Sequence, residues 1–146
     1  MFRLRVPEGW QAVPVPEAQM AVRRPEPVEG FHPNVLVRVR RTPARPTVAD
    51  DLRRLTAIDD APEGMEVLAD EVCTDLATPA RSLKVRFAGP AGLTLEARHP
   101  MVYIPATEHV ANVVSIVGTW PRTDDPALGL EVEAVVASLR LLLPAG

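Results

Sequence analysis

The chain has 146 residues, of which 47% are hydrophobic and 24% charged, with a formal net charge of −3 at pH 7. This length and this composition are typical of one globular domain, so we interpret residues 1–146 as a single domain and exclude a disordered chain. The acidic balance argues against a nucleic-acid-binding protein, and the single cysteine excludes an internal disulfide.

The N-terminal segment alternates apolar and arginine side chains over residues 2–6, which predicts a half-buried strand. It contains no stretch of seven apolar residues, as a secretory signal would, and no run in the chain has the length of a membrane span. We therefore expect a cytoplasmic protein without a membrane partner. Residues 19–24 predict a second strand.

A third strand and a helix are predicted next. Over residues 34–41, Val35, Val37 and Val39 point to one face and alternate with residues that point to the other. A helix then begins at Thr47, whose side chain suits the N-cap position. Apolar residues follow it at helical spacing up to residue 58, before Pro62 ends the pattern.

A strand over residues 65–76 has an imperfect alternation, which predicts a bulge or a sheet edge. Residues 81–87 and 93–99 predict a hairpin around the loop 88–92. This loop places Phe87 opposite Leu93, and the same register places Lys84 opposite Glu96 as a cross-strand ion pair.

The last elements are strands over residues 101–104 and 109–120 and a C-terminal helix. Within the second strand, residues 113–117 do not alternate, which predicts either a central strand covered on both faces or a face that meets a partner chain. Asp124 and Asp125 precede Pro126, the pattern of a helix start, and the helix is expected to continue to about Leu142. The order of elements predicts an α+β fold, in which two main helices pack on an antiparallel sheet of six or seven strands.

Residue types that often carry catalysis or bind metals have structural interpretations in this sequence. None of the three serines lies in a GxSxG motif. Cys73 stands in a strand without a neighbouring histidine, as a small buried hydrophobic residue would. The three histidines form no HxH or HxxxH pair, the usual spacing of metal ligands. We therefore expect no catalytic residue, no metal and no cofactor, and a protein that is not an enzyme.

Charged side chains of the strands are expected to share the face of the sheet opposite the core. By their alternation, this candidate partner-binding face comprises Arg38, Arg40, Lys84, Arg86, Glu96 and Arg98. The alternative interpretation is a solvated face balanced by the acidic residues of the segment 66–75.

Three segments of the sequence are the opening strand with Gly9 and Trp10, the late strand that ends in Val117-Gly-Thr-Trp-Pro121, and Ser138-Leu139-Arg140 at the end of the final helix. In these segments the sequence resembles the PsbP/Mog-like superfamily, in particular its bacterial branch of LpqN-like proteins and Eag-type chaperones. The resemblance implies an antiparallel sheet covered by helices, usually without enzymatic activity, in proteins that bind partners or act as chaperones.

The leading hypothesis is therefore a protein-binding, adaptor or chaperone-like module that works as a homodimer with an unknown protein partner. The alternative is a small-molecule-binding protein or an enzyme with a pocket between sheet and helices. Its candidate lining residues are Trp10, His99, Tyr103 and Trp120.

Overall fold

The computed structural model describes residues 2–43, 63–73 and 79–141, which contain nine strands and one α-helix. In chain order the elements are β1 Phe2–Arg3, β2 Gln11–Ala12, β3 Met20–Arg23, β4 Asn34–Pro43, β5 Glu66–Cys73, β6 Ala80–Ala88, β7 Thr94–Pro105, β8 Val110–Pro121, α1 Ala127–Ala137 and β9 Arg140–Leu141. A 3₁₀ turn, Pro90–Gly92, lies between β6 and β7. The helix expected from Thr47 onward lies outside the described residues.

Seven strands form one antiparallel sheet in the order β2-β3-β4-β8-β7-β6-β5, and β1 pairs separately with β9. The α+β class and the seven-stranded antiparallel sheet are thus confirmed. Of the two main helices that the sequence predicts, the described residues include one. The bulge or edge expected in the strand over residues 65–76 is also confirmed, because β5 is an outer strand whose register shifts between Val67 and Ala69.

Helix α1 packs on one face of the sheet, over β4, β8 and β7, and we call this face the helix face. Val35 and Val37 of β4 are fully buried there with Val132 of α1. Close contact is possible because β8 has Gly118 beneath the helix. A Cβ atom at that position would lie 2.5 Å from Val136 Cγ2, well inside the distance of real contacts.

A second apolar cluster lies on the opposite face of the sheet, which we call the far face, around β6 and β7. Its members include Leu83, Val85, Ala97, Met101 and Tyr103, each at most 3% exposed. The pairing of β6 with β7 and of β7 with β8 shows that the side chains of this cluster point away from the face on which α1 packs. Around β4 and β8 the sheet is therefore apolar on the helix face, whereas around β6 and β7 it is apolar on the far face.

The segment 113–117 belongs to β8, which lies between β4 and β7 in the middle of the sheet. Val113 and Val114 point to opposite faces and are 1% and 2% exposed. Of the two interpretations of its continuous apolar run, the central strand is therefore the correct one. Burial within one chain accounts for these valines, so they give no reason to expect a dimer.

The predicted register of the hairpin is wrong by two residues. The structure pairs Phe87 with Leu95 and Arg86 with Glu96, since Gly89 N donates to Leu93 O at 2.8 Å and the loop begins one residue later. Because side chains alternate with a period of two, the slip leaves each residue on the expected face and changes only its partner. Glu96 is therefore opposite Arg86 and not opposite Lys84.

The C-terminal helix ends at Ala137, five residues before the predicted end. Its end coincides with contacts to the N-terminal segment, because Arg5 N donates to Ser138 Oγ at 2.8 Å and that hydroxyl donates to Val135 O at 2.6 Å. Arg140 then pairs with Arg3 in the small β1-β9 sheet. This tertiary pairing overrides a helical pattern that is locally favourable.

Candidate functional site

An open groove of about 400 Å³ lies where β8 ends and α1 begins. The chain turns from sheet to helix over residues 122–126, so the strand end forms one wall and the first turns of the helix the other. The groove is lined by apolar and charged side chains, among them Lys84, Glu96, Trp120, Asp124, Leu130 and Glu133.

Two carboxylates organise the charges around this groove. Glu133 Oε1 of α1 lies 3.3 Å from Lys84 Nζ and 3.2 Å from Arg98 Nε. Glu96 Oε1 lies 3.5 Å from the Arg86 guanidinium, and Arg122 approaches the same oxygen at 3.8 Å. Lys84, Arg86, Arg98 and Arg122 are therefore paired with acids of the same chain.

The six candidate partner-binding residues do not share one face, which corrects the expectation. Lys84, Arg86, Glu96 and Arg98 lie on the helix face, because Arg98 pairs with Gly118 and Gly118 with Val35. The other two, Arg38 and Arg40, lie on the far face and are exposed. Their separation follows from the change of apolar face between the two halves of the sheet.

The four candidate pocket residues are also divided between the two faces. Trp10 and Trp120 contact the core beneath α1, and Trp10 Nε1 donates to Glu131 Oε1 at 3.1 Å. His99 and Tyr103 lie on β7 at positions of the far face. Trp120 lines the groove described above, but the four side chains do not converge on one cavity.

His99 has an unusual electrostatic environment for a histidine. Burial lowers its pKa to about 4, and the nearby positive charges of Arg38 and Arg81 act in the same direction. Its Nε2 atom is buried, and the described part of the chain provides no hydrogen-bond partner for it. The imidazole is therefore neutral at pH 7. Arg81 forms a bidentate pair with Asp70, with N–O distances of 3.0 and 3.1 Å.

Within residues 2–43, 63–73 and 79–141, no group of three or more histidine, cysteine or acidic side chains could hold a metal ion. In the same ranges, no helix has both the length and the apolar character needed to cross a membrane.

Sequence reasoning missed one surface feature, an apolar row on the outer side of α1. Ala127, Leu130, Ala134 and Ala137 are exposed, and Leu130 retains 64% of its accessible surface. Their spacing of three, four and three residues places them on one side of the helix, opposite the buried valines. This spacing is visible in the sequence beside that of the buried stripe. We call these four residues the outer row.

Together, the fold and the site define a class of α+β protein in which a helix on a seven-stranded antiparallel sheet has one buried and one exposed apolar side. Among solved structures, the chain is similar to LpqN, which is involved in cell envelope biogenesis of Mycobacterium tuberculosis. The TM-score is 0.67 at 17% identity, over 94% of this chain and 81% of LpqN. The likeness shows an LpqN-like fold. No protein-family model and no curated protein matches the sequence.

Proposed function

We propose that this protein is a non-enzymatic protein-binding module, of an adaptor or chaperone-like kind, and that it binds its partner through the outer row of α1. The observation that carries the proposal is the 64% exposure of Leu130 in the middle of that row.

The composition of α1 supports this proposal. A helix that covers a sheet normally has polar side chains on its outer side, whereas a helix that is apolar all round is buried on all sides. The only charged residues of α1 are Glu131 and Glu133, which flank the outer row. Both are engaged within the chain, by Trp10 and by Lys84 and Arg98. The outer row is thus left as an apolar strip that these two carboxylates do not cover.

The likeness to LpqN supports the proposal at the level of fold. We propose that the chain belongs with the PsbP/Mog-like proteins, as the three sequence segments suggest, and that it acts in the cytoplasm. The cell envelope, in whose biogenesis LpqN takes part, is the alternative setting. Fractionation of the source cells, followed by detection of the protein with an antibody, distinguishes the two compartments.

Site-specific photocrosslinking in the source cells tests the proposed binding surface. A photoreactive amino acid at position 134, in the outer row, is expected to give covalent protein adducts on illumination. The matched control is the same amino acid at Val67, which is 52% exposed but lies on the edge strand β5. If position 134 gives no more adducts than position 67, the proposed surface is wrong.

A small-molecule site in the groove beside Trp120 is the second candidate function. Its volume of about 400 Å³ is within the range of ligand pockets, and charged groups of both signs line it. A metabolite library screened by thermal shift tests this candidate. A hit is expected to lose its effect in a Leu130→Glu variant, which alters the groove lining; an unchanged shift in that variant would place the ligand elsewhere.

A further inference from the structure

We propose that the partner of the outer row is a second copy of this chain, so that two α1 helices pack antiparallel across a two-fold axis. This inference rests on the proposed protein-binding role of the row and adds the identity of the partner.

The first argument is the symmetry of the outer row. Its residues are placed evenly about position 132: Ala127 and Ala137 lie five residues from it, and Leu130 and Ala134 lie two residues from it. In an antiparallel pair centred on this position, each residue meets the one at the same distance on the other side of the centre. The one large side chain, Leu130, then lies against the small Ala134 of the second copy. Each helix therefore offers a space where the other has a projection, as close helix packing requires.

The second argument is charge complementarity at the ends of the helix. Asp124 and Asp125 are exposed immediately before α1, and Arg140 is exposed immediately after it. The Arg140 guanidinium donates to the carbonyls of Ala137 and Leu139, so it is held at the C-terminal end. The antiparallel pair brings this end close to the two aspartates of the other copy. A parallel pair would instead place like charges together and align the two helix dipoles unfavourably.

The flanks of the row are compatible with this pairing. Glu133 is neutralised by Lys84 and Arg98, with nitrogen–oxygen distances of 3.3 and 3.2 Å. Glu131 is directed to the Trp10 indole. These contacts hold the two carboxylates on either side of the outer row, so that they do not cover it. The contact surface of the proposed dimer is therefore apolar along its centre and polar at its two edges.

The size of the row sets the expected strength of the dimer. Eleven helical residues span about 16 Å, and four exposed side chains, three of them alanine, bury on the order of a few hundred Å² per copy. Stable dimers bury roughly 800 Å² per partner. We therefore expect a weak dimer that forms reversibly and at high concentration.

Sedimentation equilibrium of the purified full chain tests for self-association. The mass is expected to rise above the 15.9 kDa of one chain as the concentration increases to about 1 mM. The Leu130→Glu variant is expected to remain at the monomer mass, whereas the control Val67→Glu is expected to associate as the wild type does. A constant monomer mass for the wild type, or unchanged association of Leu130→Glu, would overturn the inference.

Disulfide trapping tests the antiparallel register. In a chain with Cys73 replaced by serine, Ala127→Cys and Ala137→Cys are prepared as separate single variants. Oxidation of their mixture is expected to give a cross-linked heterodimer, and oxidation of each variant alone is expected to leave monomers. Homodimers of either variant alone, or no cross-link in the mixture, would exclude this arrangement. If position 134 still cross-links to a different protein in cells, the inference fails while the proposed function stands.

Discussion

The Nε atom of Arg98 on β7 lies 3.2 Å from Oε1 of Glu133 on α1, which joins the sheet to the helix through an ion pair. Lys84 of β6 approaches the same oxygen at 3.3 Å. In this half of the sheet, charged side chains occupy the helix face because the apolar residues of β6 and β7 point to the far face. The helix is therefore held by apolar contacts over β4 and β8 and by ion pairs over β6 and β7.

Replacement of Glu133 by glutamine is expected to lower the free energy of unfolding by about 1–2 kcal/mol. The side chains of Lys84, Arg98 and Glu133 are only 24–29% exposed, so loss of the carboxylate leaves two partly desolvated cations without their counter-ion. Urea denaturation at pH 7 measures the change. Glu26→Gln is the matched control, because Glu26 is 73% exposed in its pair with Arg24. An equal loss of unfolding free energy in both variants would show that the ion pairs of Glu133 contribute no more to stability than the exposed pair of Glu26.

The longer strands were predictable from the sequence because the alternation of side chains along one strand is a local property, whereas the two-residue strands β2 and β9 were not predicted. Val35, Val37 and Val39 alternate with Leu36, Arg38 and Arg40, and this pattern alone identifies β4 and its buried side. Turn residues placed the hairpin between β6 and β7, but not its register, since two five-residue loops that differ by one position fit the same sequence. The prediction that Lys84 and Glu96 lie on the same face was therefore right, but the prediction that they lie opposite each other was wrong.

The candidate site was predicted less well because its arrangement depends on contacts between distant segments. Alternation shows which residues of one strand share a side, but not which sides of two strands coincide. Arg38 and Lys84 were assigned to one face on the assumption that every strand directs its apolar residues the same way. The register through β8 shows the opposite. When one part of a sheet buries one face and another part buries the opposite face, the alternation within single strands does not show which residues of different strands share a face.

Introduction of a methyl group at Gly118 is expected to destabilise the protein by about 1–3 kcal/mol. The added Cβ would lie 2.5 Å from Val136 Cγ2 and 2.8 Å from Val132 Cγ1, so the helix must move away from β8. Thermal unfolding of Gly118→Ala measures the loss. The double variant Gly118→Ala/Val136→Ala makes room for the methyl group, so its destabilisation should be smaller than the sum of the two single effects. Strict additivity would contradict the close contact between helix and strand.

A double-mutant cycle is expected to distinguish the observed hairpin register from the one predicted by the sequence. Arg86 and Glu96 are direct cross-strand neighbours with a nitrogen–oxygen distance of 3.5 Å, and Glu96 is only 13% exposed. Alanine substitutions at these two positions should show a coupling energy of about 0.5–1 kcal/mol in urea denaturation. The same cycle for Lys84 and Glu96 should give a smaller coupling. A larger value for Lys84 would favour the register that places it opposite Glu96.

Acid is expected to destabilise the protein through His99. Its pKa is about 4 in the folded chain, against 6.5 for a free histidine, mainly because of burial. Between these two pH values the unfolded chain binds more protons than the native one, so the free energy of unfolding falls as the pH falls. The contribution of His99 is fully present above pH 6.5 and is lost progressively towards pH 4, by at most about 3 kcal/mol.

Urea denaturation of His99→Leu at pH 7.5 and pH 5 tests this contribution. The variant should lose part of the pH dependence of the wild type, because leucine does not titrate. At pH 5 it should also be more stable relative to the wild type than at pH 7.5. His109→Gln is the control, because it removes a histidine that is exposed between β7 and β8. If His99→Leu keeps the full pH dependence of the wild type, other groups cause the acid sensitivity. Loss of that dependence in His99→Leu alone would identify the far face of the sheet as the region where acid first acts.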